Sequence, residues 1–174
     1  LLSQHIFAGN WADVMRYLMP VLSFMFGVAA ATEIRQHFQN IGRIHWRQIV
    51  ILIEMSMLFL VGFLPGKMDL VANAFVSFSC AMQVQTFRKV DSYAFASTMC
   101  IGNIRSGMEA LCAYRQSHNR QILYKAFHYF GIIILFAFGA GIGSILIPVF
   151  NLQTIWFSSF LLMVGFFLMF IQEK

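Results

Sequence analysis

Few side chains in this sequence could do chemistry, and the most conspicuous is Glu54. It is the one acidic or basic residue between Gln48 and Pro65, in the middle of an apolar run. A carboxylate at membrane depth is costly unless it is paired, hydrated or protonated, so such a residue points to an ion or proton pathway. A protonated or water-bridged structural residue, or a partner of Arg105, would fit the same position. Gly102 and Asn103 form a second candidate: glycine permits a sharp break, and an asparagine amide both donates and accepts, so the pair could present polar groups to a substrate or ion without charge. A helix cap or a helix-packing contact is the alternative. Gln83 and Gln85 lie on different helical faces, so at most one looks toward that segment. Arg105 and Glu109, spaced i, i+4, are expected to form a local salt bridge. The alternative role is reception of an anionic substrate by Arg105, with Glu109 holding it between turnovers.

Other chemistries find no support in the sequence. There is no GxSxG, P-loop or GxGxxG, so no enzyme is expected. His5, His37, His45, His118 and His128 are scattered without an HxxxH or HExxH spacing, so no metal site and no cofactor is expected. Cys80, Cys100 and Cys112 form no CxxC pair and read as reduced, packed side chains. The 20 Phe and 11 Met suit lipid-facing and interhelical surfaces. A net charge of +5 could suggest nucleic acid, but the basic residues sit in short runs between apolar segments, so topology explains them better and no nucleic acid partner is expected.

The elements that must position these residues are membrane helices. Hydrophobic residues make up 59% and charged residues 11% of the 174, and the mean hydropathy is +0.71, outside the soluble range. A span needs roughly 20 apolar residues, so gaps in the charge map mark spans: 17–32, 48–65 apart from Glu54, 70–87, and everything between Lys125 and Glu173. Five spanning segments follow, at about 14–34, 46–64, 68–87, 125–150 and 154–171, with Trp11 and Tyr17 as interfacial aromatics and Pro20 as an expected kink. The basic, acid-free loop Arg35–Arg47 belongs in the cytoplasm by the positive-inside rule. Pro65-Gly66-Lys67 is a turn signal. The stretch Tyr93–Tyr114 is too polar for a lipid-facing span and has basic residues at both ends (Arg88 and Lys89; Arg115, Arg120 and Lys125). A broken, re-entrant or interfacial helix fits it better.

A weak internal repeat stands behind these spans. At an offset of 112 residues Tyr17 falls on Tyr129, Phe24 on Phe136, Phe26 on Phe138 and Gly27 on Gly139. Both copies carry a small-xxx-small pair, Gly27 with Ala31 and Gly139 with Gly143, which lets helix backbones approach closely. Chance likeness of apolar helices is the alternative. A real repeat with these topologies is inverted, the arrangement in which secondary transporters place sites between repeats on interrupted helices. Residues 1–174 then form a single, N-terminally incomplete transmembrane domain, with 1–67 the remainder of the first repeat and 68–174 the second. A spanning helix and a first copy of the Gly-Asn segment would precede residue 1.

The run SFSCAMQVQTFRKV (Ser77–Val90), followed by STMCIGN (Ser97–Asn103), resembles the hallmark of the YoaK-like family of small bacterial membrane proteins, a domain of unknown function. Cys80, Met82, Gln83, Arg88, Lys89, Gly102 and Asn103 stand where the family pattern has its equivalents, while Ala81, Val84 and Ile101 depart from it. The resemblance covers essentially the whole chain in segment order. It implies about six helices in the complete protein, a bacterial cytoplasmic membrane setting, and no established activity.

The fold class expected is therefore an all-α polytopic transmembrane bundle: about five spanning helices, one broken or re-entrant helix, and two inverted repeats. The function expected is a small secondary transporter or permease for a small organic solute or ion, sited at Glu54, Gln83, Gly102, Asn103, Arg105 and Glu109. It would work in the lipid bilayer, with a homodimer as the plausible assembly. The competing expectation is a scaffold or sensor subunit acting through its basic cytoplasmic loops.

Overall fold

A computed structural model describes residues 2–39, 45–90, 93–94 and 100–172. Arg43, Ser97–Met99 of the hallmark run, and Glu173–Lys174 lie outside the described residues. The elements are α-helices: α1 Leu2–Phe7, α2 Trp11–Phe38, α3 Trp46–Val61, α4 Asp69–Thr86, α5 Cys100–Ser117, α6 Arg120–Phe150 and α7 Ile155–Gln172. Short 3₁₀ turns at Gly66–Met68 and Asn151–Thr154 join α3 to α4 and α6 to α7. The chain divides into two units, Leu1–Thr86 with Phe150–Lys174, and Phe87–Val149.

In the first unit a left-handed Gly9 (φ +69°) turns α1 into α2. His5 stacks on Tyr17 at 5.5 Å and lies 3.6 Å from the Asp13 carboxylate, which itself accepts a hydrogen bond from Asn10. An acid in the first turn of α2 also suits the helix dipole. α2 continues through Pro20 without ending. α2 packs on α4 where Gly27 removes a side chain, since a Cβ there would meet the Phe78 carbonyl oxygen and the Ala81 Cβ at 2.5 and 2.8 Å. Five residues on, Gln85 Nε2 donates to Thr32 Oγ1 at 3.1 Å. Both contacts advance together along the two helices, so α2 and α4 run parallel.

α3 lies between α4 and α7. Trp156 Nε1 at the start of α7 donates to the Phe59 carbonyl near the end of α3, and Ser159 Oγ donates to the Met55 carbonyl. One sequence rises as the other falls, so α3 and α7 are antiparallel. The core cluster joins Ala31 of α2, Trp46 and Val50 of α3, and Met82 of α4. Around it large apolar side chains remain exposed, including Phe26 (67%) and Phe167 (60%).

In the second unit residues 89–90 and 93–94 pair as a two-residue antiparallel ladder. Sequence reading had assigned the helical stretch from Tyr93, but the helix begins at Cys100; Val90 and Tyr93 are strand-favouring types that compete with helix there. α5 is continuous, and Gly102 and Asn103 sit in its first turn rather than at an interior break. Asn119 caps α6 by accepting from the Gln121 N–H at 2.9 Å.

Among the described residues, two helical stretches are long and apolar enough to cross a membrane, Trp11–Phe38 and Arg120–Met169; the second takes in α6 and most of α7. α3 has 16 residues, fewer than the roughly 20 of a full span. α4 carries Asn73, Ser77, Ser79, Gln83, Gln85 and Thr86, which lower its hydropathy.

Candidate functional site

The first unit holds Glu54 and Gln83. Trp46, Val50 and Glu54 are four residues apart, so they line one stripe of α3, and the first two belong to the core shared with α2 and α4. Glu54 is therefore turned inward and is only 1% exposed. Its Oε1 is buried with no hydrogen-bond partner. Cys80 of α4 lies within its electrostatic reach. α3 and α4 are sequential, packed and joined by a short turn, hence antiparallel. Four residues up α3 from Val50 corresponds to about four residues down α4 from Met82, which puts Ser79 near the level of Glu54. Ser79 is buried and its Oγ is also unpartnered, as is the buried Thr86 Oγ1 seven residues further along the same face of α4.

A buried polar atom without a partner costs free energy comparable to a lost hydrogen bond, and a charge costs more. Glu54 and, near its level, Ser79 are two such oxygens, each able to accept from a proton donor or water, while Thr86 is a third about two turns away, near the level of Trp46. Gln83 is half-buried on α4, while Gln85 is committed to Thr32. Ser79 and Thr86 were not among the residues singled out from sequence. The available signal was their spacing of seven, which places two hydroxyls on one face of an otherwise apolar helix.

The second unit holds Gly102, Asn103, Arg105 and Glu109. Asn103, Gly107 and Ala110 form the buried face of α5, Asn103 being 3% exposed. At Gly107 an added Cβ would lie 3.3 Å from Tyr129 and Phe130, so this small residue admits α6. Gly102 is exposed, with open space where a side chain would be, so Gly102 and Asn103 face different ways. Arg105 Nε donates to Glu109 Oε1 at 2.8 Å with both side chains largely exposed, 81% and 63%. This is the local pair expected of the i, i+4 spacing. The hydrogen bond and the charge of Glu109 raise the pKa of the guanidinium above its ordinary value. On the adjoining side of α5, Ser106, Glu109, Lys125 and Tyr129 border a groove of about 300 Å³. Within neither unit are all six candidate residues brought together: Glu54 and Gln83 belong to one, the remaining four to the other.

Among the described residues no group of three or more His, Cys, Asp or Glu side chains is placed to hold a metal. Cys80 and Cys100 are half-buried free thiols and Cys112 is an exposed one.

No curated protein and no solved structure matches this chain. One family model does, described as a protein of unknown function (DUF1275), over residues 1–168.

Proposed function

The chain belongs to the DUF1275 family, and from that premise, which assigns no activity, we propose that it is a small multi-pass membrane transporter moving a small organic solute or an ion. Glu54 is the group that takes up and releases a proton or cation. The observation that carries this reading is the Glu54 oxygen buried without a partner in the apolar core of the first unit. Evolution rarely keeps an acid at membrane depth without a use for it.

The helix directions support a topology that suits transport. With the Arg35–Arg47 end in the cytoplasm, α3 runs outward, α4 returns, and α7, antiparallel to α3, also runs inward. Basic residues flank α5 on both sides, Arg88 and Lys89 before it and Arg115, Arg120 and Lys125 after it, which favours the cytoplasm for both of its ends and makes α5 re-entrant or interfacial rather than spanning. Five helices span: α2, α3, α4, α6 and α7. Shifted by 112 residues, α2 falls on 123–150 and α3 on 158–173, close to α6 and α7. The antiparallel α3 and α7 are thus equivalent helices of opposite direction, as an inverted repeat requires. The candidate residues of α5, Gly102, Asn103, Arg105 and Glu109, are assigned by the same reading to substrate or ion binding, and the assembly is read as a homodimer.

A non-transporting scaffold or sensor is the second reading, favoured by the burial of both Glu54 and Asn103. Carbodiimide, which modifies protonated carboxyls in membranes, separates the two when combined with an impermeant thiol reagent on single cysteines from 100 to 106. Transport predicts modification of Glu54, read by mass spectrometry, and thiol reactivity at one face of α5. Uniform protection at all of these positions would sink the transport reading and leave the scaffold.

A further inference from the structure

Where α2 ends and α3 begins, cationic groups gather on one buried indole. The guanidinium carbons of Arg35 and Arg47 lie 5.8 and 5.6 Å from the centre of the Trp46 ring, and the His45 ring stacks on it at 5.9 Å. Trp46 is itself fixed in the core with Ala31, Val50 and Met82, so the platform does not move. His45 Nδ1 accepts the Arg47 N–H at 3.3 Å, which holds the start of α3 in place.

Among the described residues neither arginine forms an ion pair. Of the described acids of this unit, Asp13 is engaged at the far end of α2, and Asp69 starts α4 at the opposite end from Trp46. Glu54 lies two turns up α3, and Glu33 is exposed and two residues from Arg35, hence on another side of α2. The Arg47 Nε is sealed from solvent and unpartnered. Cation–π contact attracts each guanidinium to the ring without neutralising it, so two like charges are held on one indole with donors to spare.

We propose that Arg35, Arg47 and Trp46 form a binding site for one phosphate group. Guanidinium forks match phosphate oxygens in pairs, and tryptophan favours the membrane–water boundary. The start of α3 adds a partial positive charge of the same sign. Two sources carry this chemistry, the headgroup of an anionic phospholipid and free inorganic phosphate. The site stands whether or not Glu54 works in transport.

The full chain, reconstituted in phosphatidylcholine vesicles, is probed with spin-labelled phosphatidylglycerol against spin-labelled phosphatidylcholine, and in detergent with inorganic phosphate by calorimetry. For a lipid site, the phosphatidylglycerol preference falls roughly fivefold for Arg35→Gln or Arg47→Gln. It is unchanged in Arg16→Gln with Lys67→Gln, which removes the same total charge as the double arginine variant from elsewhere. Arg35→Lys with Arg47→Lys retains part of the preference, and helicity and monodispersity confirm that each variant folds. A saturable phosphate heat, lost in Arg35→Gln with Arg47→Gln and without a lipid preference, assigns free phosphate instead. The proposal is overturned if neither signal depends on Arg35 and Arg47, or if the Arg16 and Lys67 control loses as much.

Discussion

At Glu54 function and stability pull in opposite directions. A buried ionisable group without a partner destabilises the fold most when it is charged, so Glu54→Gln, which cannot ionise and keeps nearly the same shape, is expected to raise stability at alkaline pH by about 1 kcal/mol, or roughly 2–4 °C in Tm. The same change abolishes carbodiimide modification. A fall in Tm would mean that the carboxyl has a structural partner, and the transport reading would lose its main support. Gly27 tests packing at the same scale. Gly27→Ala drives a methyl into the Phe78 carbonyl and the Ala81 side chain of α4, and a cost of about 1–3 kcal/mol is expected from thermal unfolding in detergent. Gly139→Ala meets open space and is expected to be neutral, or stabilising by up to about 1 kcal/mol from helix propensity. The two glycines are equivalent in the proposed repeat, so this contrast measures how differently the two proposed copies use one motif. Arg105 and Glu109 show what spacing alone can tell: four residues on one helical face gave the pair, and the structure adds that both are solvent-exposed.

Among the elements, α3 and α7 decide the most. Their antiparallel pairing rests on two hydrogen bonds, from Trp156 to the Phe59 carbonyl and from Ser159 to the Met55 carbonyl, at 3.1 and 3.2 Å. With the native cysteines replaced, Met55→Cys and Ser159→Cys should crosslink within one chain under mild oxidation, whereas Met55→Cys with Phe167→Cys should not. The reverse pattern would mean another helix direction and would undo the inferred topology. Helix extents were legible from the charge map to within a few residues for α3, α4 and α7, because acids and bases mark where apolar spans end. α1 and the 89–94 ladder were not legible. Each is too short for periodicity to register, and each depends on contacts with neighbouring backbone or on a turn.

For the molecule as a whole, the decisive measurement is the sidedness of residues 115–120. Impermeant labelling of a single cysteine in this segment of the intact membrane protein is expected to place it in the cytoplasm. An external position would make α5 a span and α6 an inward-running helix, and would contradict the antiparallel pairing of α3 with α7.

The sequence by itself determined the all-helical class, the extents of α3, α4 and α7 to within a few residues, and the Arg105–Glu109 pair, because hydropathy, charge and i, i+4 spacing are local properties of the chain. Only the tertiary structure decided that α7 lies antiparallel to α3, that Gly27 serves the α2–α4 contact, and that Arg35 and Arg47 share the Trp46 ring. It also decided that Ser79 accompanies Glu54 while Gln85 is spent on Thr32. These facts concern residues tens of positions apart, and their pairing follows from how helix faces pack, which no short window of sequence contains.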